Sequence, residues 1–406
     1  MNNTNVTENA VLKINRNRLR QAINIIEIYN PNKALNDFLR GFYNKNKNIG
    51  SADRKHLSNL LYQYFRLGKN FQDLTIEEKI SISLLFGNNE RKAFVEFMIN
   101  EYSSFVPTHL LLPIEKKIDL VRMKYPSFSM TKLFPFSRYL SVFNDVDLFI
   151  QSHLQQPNVW IRIKKDKIQE VIAEINEAGY EYEIAPFADT CICFLKHYPL
   201  HELQNYHSGN FEIQDAGSQL TGNYFKPNPN EIWWDACSGS GGKSLMLIDR
   251  EPSVSLLLTD IRESIIKHLQ ERFERSKIKN FKTLTADLSM PHPVDIPFEF
   301  FDGIILDVPC SGSGTWAATP EMLVSFDIES LSKHHKIQTT IAQHVLPYLK
   351  TGKPLIYITC SVYKQENEDV VNFLCTHFNM TLESKQIVEG FRYGASTFFV
   401  ARLLKN

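Results

Sequence analysis

Between residue 10 and about residue 110 the apolar positions recur at helical spacing. Leu12, Ile14, Leu19, Ala22, Ile23 and Ile26 form one series, and Leu57, Leu60, Leu61, Tyr64 and Phe65 another. The polar run Asn44-Lys45-Asn46-Lys47-Asn48-Ile49-Gly50-Ser51 interrupts the pattern, and Ser51 or Asp53 is expected to cap the helix that follows. Strand-type alternation is nearly absent, so this region is expected to be all-α. A proline- and aromatic-rich stretch runs from Tyr125-Pro126 to Phe134-Pro135-Phe136. After it, Val159–Ile163 reads as a strand, Lys165–Ala178 as an amphipathic helix ending at Gly179, and Tyr180–Ile184 and Cys191–Leu195 as short strands.

From Phe211 onward, apolar strands alternate with helical segments. The expected strands are Glu231–Ala236, Ser253–Thr259, Phe281–Thr285, Phe301–Leu306 and Lys353–Ile358. Near-continuous apolar strands separated by helices predict an α/β fold, a parallel sheet with helices on both faces. The domain division expected is 1–125, all-α; 126–210, a small α+β unit; and 211–406, a Rossmann-like α/β domain. There is no internal repeat and no low-complexity tract.

Composition changes this picture only at a few points. With 43% hydrophobic and 22% charged residues the chain is of the soluble globular type, and its 406 residues suit two or three domains. No run approaches the roughly 18 apolar residues of a membrane helix, and the polar N-terminus lacks a signal-peptide pattern, so a cytoplasmic protein with no membrane partner is expected. Charge is balanced at 45 basic and 45 acidic residues. Residues 1–70 nevertheless hold twelve Lys/Arg against four Asp/Glu, an excess of eight that suits either a phosphate backbone or a solvated helical face. The six cysteines, at 191, 193, 237, 310, 360 and 375, form no CxxC pair and no zinc spacing, so no metal is expected. Cys191 and Cys193 alternate within one strand and read as small buried hydrophobes.

The strongest local signal is the loop Cys237-Ser238-Gly239-Ser240-Gly241-Gly242-Lys243, which follows the apolar strand ending Trp233-Trp234-Asp235-Ala236 and opens a helix. Glycines at such a turn let a ligand approach the backbone closely. Gly242-Lys243-Ser244 matches the end of a phosphate-binding P-loop, but Cys237 stands where that motif begins with glycine and no hydrolysis partner follows. Adenosylmethionine binding is the competing reading. Asp260 ends the next strand, eighteen residues beyond Gly242, near the roughly 20-residue spacing at which an acidic side chain takes ribose hydroxyls. Asp287 and Asp307 end the third and fourth strands, and acidic groups at successive strand ends are costly without a ligand or hydrogen-bond partner. Each alone fits a helix cap; together they outline one cofactor edge.

Asp307-Val308-Pro309-Cys310-Ser311 follows the fourth strand and Thr359-Cys360-Ser361 the fifth. Either cysteine alone fits a buried small residue. Two of them at corresponding strand ends, on the side of the glycine loop, suit thiol chemistry. One such chemistry is methylation of cytosine C5. That carbon is a poor nucleophile until a thiolate adds at C6, and a carboxyl near N3, for which Asp307 is the candidate, stabilises the adduct.

The same residues resemble the bacterial rRNA cytosine-5 methyltransferase family, whose members include small-subunit rRNA enzymes with a NusB-like N-terminal domain. The resemblance rests on Gln214-Asp215-Ala216-Gly217-Ser218-Gln219, the Cys237–Lys243 loop, Asp260, Ala286-Asp287, Asp307-Val308-Pro309-Cys310-Ser311, Tyr357-Ile358-Thr359-Cys360-Ser361-Val362 and Glu366-Asn367-Glu368. It implies that Cys360 is the nucleophile and that Cys310 assists product release. DNA cytosine-5 enzymes use the Pro-Cys residue instead. It further implies that Cys237, Ser238, Gly239, Ser240, Gly241, Gly242, Lys243, Asp260, Asp287 and Asp307 contact S-adenosyl-L-methionine or the target base.

Ile49–Arg54 and Leu60–Arg66 resemble the Asp-Arg helix of NusB-like RNA-binding domains, and residues 155–215 the family's small RNA-contacting subdomain. A monomer acting on RNA is implied, with rRNA before tRNA. The chain departs from the family in the proline-free loop Ser238–Gly241, in the arginine-free Trp316-Ala317-Ala318-Thr319-Pro320, and in Arg162-Ile163-Lys164 where the family has Arg-Val-Asn. These departures motivate an alternative, an RNA-binding, ribosome-associated protein that keeps the fold without efficient methylation.

Overall fold

The computed structural model describes residues 2–87, 91–291, 296 and 298–406, with side chains from residue 10 onward. They divide into two compact units. The first comprises residues 1–138, 145–156 and 316–327. It is built from the helices Asn2–Ile28, Leu35–Lys45, Ser51–Phe65, Ile76–Phe86, Lys92–Tyr102, Ile114–Lys124, Met130–Leu133 and Val146–Ser152, with Met322–Ser325 joining from the later segment. Leu19, Ala22 and Ile25 on the first helix and Leu57, Leu60, Leu61 and Phe65 on the third are buried, the stripe that a 3.6-residue repeat turns inward. The third helix begins after Gly50 with no side-chain cap, so neither Ser51 nor Asp53 has the expected capping role. Asp53 instead pairs with Arg18 at 3.1 Å and Arg91 at 2.9 Å. Thr75 and Glu78 form a full capping box at the head of the fourth helix.

Part of the basic excess is spent inside this unit. Arg66 is buried, and its Nη1 donates to the carbonyls of His153 (3.1 Å), Gln155 (2.9 Å) and Ala317 (2.7 Å). Burial pulls that guanidinium down to about 10. Arg54 is likewise turned back, donating to the carbonyl of Ile49 at 2.7 Å. Lys13, Arg16 and Arg20 on the first helix stay exposed.

The second unit comprises residues 139–144, 157–315 and 328–406. Its strands are β1 (Val159–Ile163), β2 (Glu183–Ala185), β3 (Ala188–Phe194), β4 (Phe211–Ile213), β5 (Ile232–Asp235), β6 (Ser255–Asp260), β7 (Phe281–Thr285), β8 (Gly303–Asp307), β9 (Pro354–Thr359), β10 (Met380–Val388) and β11 (Phe398–Lys405). The first four form an antiparallel sheet in the order β2-β3-β1-β4. Cys191 and Cys193 are buried on β3, as expected for small hydrophobes. The other seven form one sheet in the order β10-β11-β9-β8-β5-β6-β7. Strands β5 to β9 run parallel, and β11 alone opposes them, pairing antiparallel with both β9 and β10.

Alternate residues of β5 feed two cores. Trp233 packs with Leu256, Leu258, Ile305 and Ile356 on one face, and Trp234 with Leu257, Ile304, Leu306 and Leu355 on the other. Burial on both faces explains why these strands read as nearly uninterrupted apolar runs. Each indole N–H is satisfied, Trp233 by Glu231 at 2.9 Å and Trp234 by the Thr259 hydroxyl at 3.1 Å. At the start of β8 a Cβ on residue 303 would lie 2.4 Å from the Trp233 ring, so only glycine fits. Among the described residues no helix is long and apolar enough to cross a membrane.

Candidate active site

Where β5 ends, the chain turns through Ala236–Gly241 into the helix Gly242–Arg250. Gly241 makes the turn at φ +78°, and a Cβ there would meet Phe273 at 2.7 Å. The loop is pinned to β6: the Ser238 amide and hydroxyl donate to the Thr259 carbonyl at 2.8 and 3.0 Å, and the Gly239 amide to Asp260 at 3.1 Å. Around Gly239 a Cβ would meet nothing within 4 Å, so this stretch of backbone faces open space.

Asp260, at the end of β6, is held by a two-pronged contact from Arg262 at 2.9 and 3.0 Å. Burial acts to raise its carboxyl, but the hydrogen bonds from Arg262 and Gly239 outweigh that and leave it below the usual carboxylate value. Asp307, at the end of β8, pairs with Lys243 at 2.6 Å. Burial opposes the Lys243 charge, yet Asp307 overcompensates and the ammonium lies above its ordinary value. Phe398 of β11 flanks the same ammonium at 5.0 Å. Asp287 lies two residues beyond β7 and is occupied by its own turn, accepting from the Ser289 amide and hydroxyl at 3.0 and 2.6 Å.

Asp235, the last residue of β5, is a further acidic strand end, two residues before the glycine loop, that the sequence pattern does not single out. It is buried, accepts from the Ser244 hydroxyl through Oδ2, and has no partner at Oδ1. Burial first, then the charges of Asp307 and Asp260, push its carboxyl up to about 7 against the pull of Ser244 and Lys243. An acid raised in the folded state contributes stability below its unfolded value, near 4, and loses that contribution as pH climbs toward 7. Asp235→Asn removes the titration. In urea unfolding, the wild type is therefore expected to lose on the order of a few kcal/mol relative to the variant between pH 4.5 and 7.5. A difference that stays constant across that range contradicts the assignment.

Cys237 lies among these acids. Burial and then Asp235, Asp307 and Asp260 drive its thiol well above the ordinary value, so it is a lining group and not a nucleophile. Cys310 and Cys360 are the pair brought together, with sulfurs 3.3 Å apart. Strands β8 and β9 are neighbours, in register at Asp307 and Ile358, and deliver the two loops side by side. The Cys310 thiol lies well above its ordinary value because of its contact with Cys360, then burial, then the charge of Glu366.

Behind the thiols lies a buried polar group whose function the sequence did not disclose. The Glu366 carboxylate accepts from the Ser311 amide (2.7 Å), the Ser311 hydroxyl (2.5 Å) and the Ser361 hydroxyl (2.5 Å). Asn367 accepts from Thr359 at 2.6 Å and donates to the Ser361 carbonyl at 3.0 Å. Gln338, on the helix Ser330–Val345, donates to the Pro309 carbonyl at 3.0 Å. The signal available was that a serine follows each cysteine.

A parallel sheet extended by a single reversed strand, with a glycine loop after its central strand and acidic groups at the strand ends, is a Rossmann-like methyltransferase domain. Residues 223–404 match the family described as 16S rRNA methyltransferase RsmB/F. Over these residues, rather less than half of its length, the chain is similar to the RsmB/F methyltransferase family. The chain is 28% identical over 280 residues to ribosomal RNA small subunit methyltransferase B of Shewanella oneidensis, covering 64% of this chain and 63% of that protein. It is 28% identical over 269 residues to the Photorhabdus laumondii protein of the same name, covering 63% and 62%. The chain thus spans less than two thirds of the length of these two relatives.

Among solved structures, PH0851 superposes with a TM-score of 0.69 at 20% identity, covering 95% of this chain and 97% of that one. NSun6 from Pyrococcus horikoshii gives 0.56 at 17%, covering 64% and 94%. Both likenesses concern the fold.

Proposed function

We propose that the protein is an S-adenosylmethionine-dependent RNA cytosine-5 methyltransferase, with rRNA as its substrate, in which Cys360 is the nucleophile. The observation that carries this reading is the pair of thiols at 3.3 Å beside the Lys243–Asp307 ion pair, at the strand ends where the glycine loop opens. The cofactor fits the residues present. The turn through Gly239 and Gly241 leaves backbone exposed to a ligand, Asp260 stands at the second strand end, and the unpartnered Oδ1 of Asp235 is a buried acceptor beside both. Cys237–Lys243, Asp260 and Asp307 would hold it. When bound, adenosylmethionine supplies the electrophilic methyl group that cytosine C5 takes up.

The chain's own groups make C5 ready for it. The Cys360 thiolate adds to C6, and the electron pair of the C5=C6 bond becomes available at C5 while the negative charge spreads toward N3. The carboxyl of Asp307 stabilises the adduct there, and the Lys243 ammonium paired with it balances the charge. Once C5 is methylated, loss of the C5 proton to a base restores the double bond and expels the Cys360 thiolate. Cys310, which retains its proton at neutral pH, stands against the sulfur that leaves.

The helical unit, with Lys13, Arg16 and Arg20 exposed on its first helix, supplies a NusB-like RNA-binding surface. Labelled methyl transfer from adenosylmethionine to RNA and to DNA of the same sequence tests the reading. Transfer to RNA alone is expected. Transfer to DNA alone, or calorimetry without adenosylmethionine binding at millimolar concentration, overturns it in favour of a DNA enzyme or of an RNA-binding protein that has kept only the fold.

A further inference from the structure

The two thiol loops leave neighbouring strands, yet neighbouring strands do not by themselves hold side chains in contact. The Cys310 loop runs on through Ser311 into Gly312 at φ +71°, a segment with the backbone freedom of glycine. Direct bonds join it to the Cys360 loop, the Gly314 amide to the Cys360 carbonyl at 2.8 Å, the Val362 amide to Ser313 Oγ at 2.9 Å and Ser311 Oγ to Ser361 Oγ at 3.2 Å, and one buried side chain bridges the residues directly after both cysteines. Glu366 is fully buried, and one of its carboxylate oxygens receives both Ser311 Oγ and Ser361 Oγ, the residues directly after each cysteine. Its other oxygen receives the Ser311 amide, with Gln338 Nε2 at 3.4 Å and His334 Nδ1 at 3.3 Å.

The residue is itself anchored to the sheet. Its carbonyl accepts from Tyr357 of β9 at 2.6 Å, and the next residue, Asn367, accepts from Thr359. A buried carboxylate costs several kcal/mol unless its hydrogen bonds are made, and here three of its four hydrogen bonds come from the two thiol loops.

We propose that Glu366 is a positioning residue of the methylation site, whose carboxylate ties the Cys310 loop to the Cys360 loop so that the two thiols act as one unit. The proposal rests on the reading of Cys360 and Cys310 given above. It assigns the acidic residue following the second cysteine a function in the chemistry without contact to substrate. Its charge also bears on the proton of Cys310, because Glu366 adds to the contact with Cys360 and to burial in holding that thiol up. A neutral group of the same shape keeps most of the packing and loses that influence.

The experiment is peptide-resolved alkylation of Cys310 by iodoacetamide across pH, in the full chain and in Glu366→Gln, beside steady-state methyl transfer. The variant is expected to bring Cys310 alkylation to lower pH. It is expected to lower kcat by about ten- to a hundredfold, the scale of a displaced reacting group, with KM for RNA unchanged. A Cys310 profile that does not move overturns the assignment, whatever happens to kcat. Where thermal melting shows Glu366→Gln unfolded, Ser361→Ala, which deletes one side of the tie, decides the matter. Lower kcat at unchanged KM supports the proposal, and wild-type kcat overturns it. A wild-type chain that alkylates as described but transfers no methyl would sink the functional reading and leave the tie standing.

Discussion

Cys360→Ala is expected to abolish methyl transfer to RNA, with a fall of more than about a thousandfold in kcat, because removing a covalent nucleophile removes the whole route and not one contribution to it. Without addition at C6, C5 has no electron pair to offer. The substitution deletes one sulfur at a partly exposed position, so folding and adenosylmethionine affinity by calorimetry are expected to stay near wild type. That split matters, since a variant that loses cofactor binding as well would have lost its architecture. Retention of full activity contradicts the mechanism outright.

Cys310→Ala is expected to do something different in kind. If Cys360 still adds to C6 while release is impaired, the protein stays attached to its RNA. A species that survives denaturing electrophoresis is expected to accumulate in the presence of adenosylmethionine, while turnover falls after the first methyl transfer. The geometry behind this is the 3.3 Å contact between the sulfurs and the retained proton of Cys310. Cys310→Ala/Cys360→Ala is expected to form no such species. An adduct in the double variant, or in Cys360→Ala alone, means that another group attacks.

Much of the sheet was legible because β5, β6, β8 and β9 are buried on both faces and advertise it as apolar runs. The edge strand β10 was not. Its sequence, Met380-Thr381-Leu382-Glu383-Ser384-Lys385-Gln386-Ile387-Val388, has an exposed polar middle and reads as surface. The reversed strand β11 carries an apolar run but no motif. The three-residue β4 is too short to leave a period. Asp287 was placed at a strand end, whereas β7 stops at Thr285 and the side chain closes a turn.

At the site, the glycine loop, Asp260, Asp307 and both cysteines carried local signals, namely glycines at a turn and chemistry at strand ends. Glu366, Ser311 and Ser361 did not, because their meaning lies in hydrogen bonds between segments 50 residues apart. Asp235 carries no local signal for a simpler reason: beside a glycine loop, an aspartate on an apolar strand looks like the strand's last polar residue. Its burial and its unpartnered oxygen give it significance. The basic count near the N-terminus misled in part, since Arg66 and Arg54 are consumed by backbone carbonyls of the helical unit.

The most direct test of the account is release of tritium from RNA labelled at cytosine C5. Methylation at that carbon expels its hydrogen, so the wild type is expected to release one tritium for each methyl group incorporated, and Cys360→Ala none. Methyl incorporation without tritium release would place the methyl group elsewhere on the RNA and contradict the assignment of this site to cytosine C5.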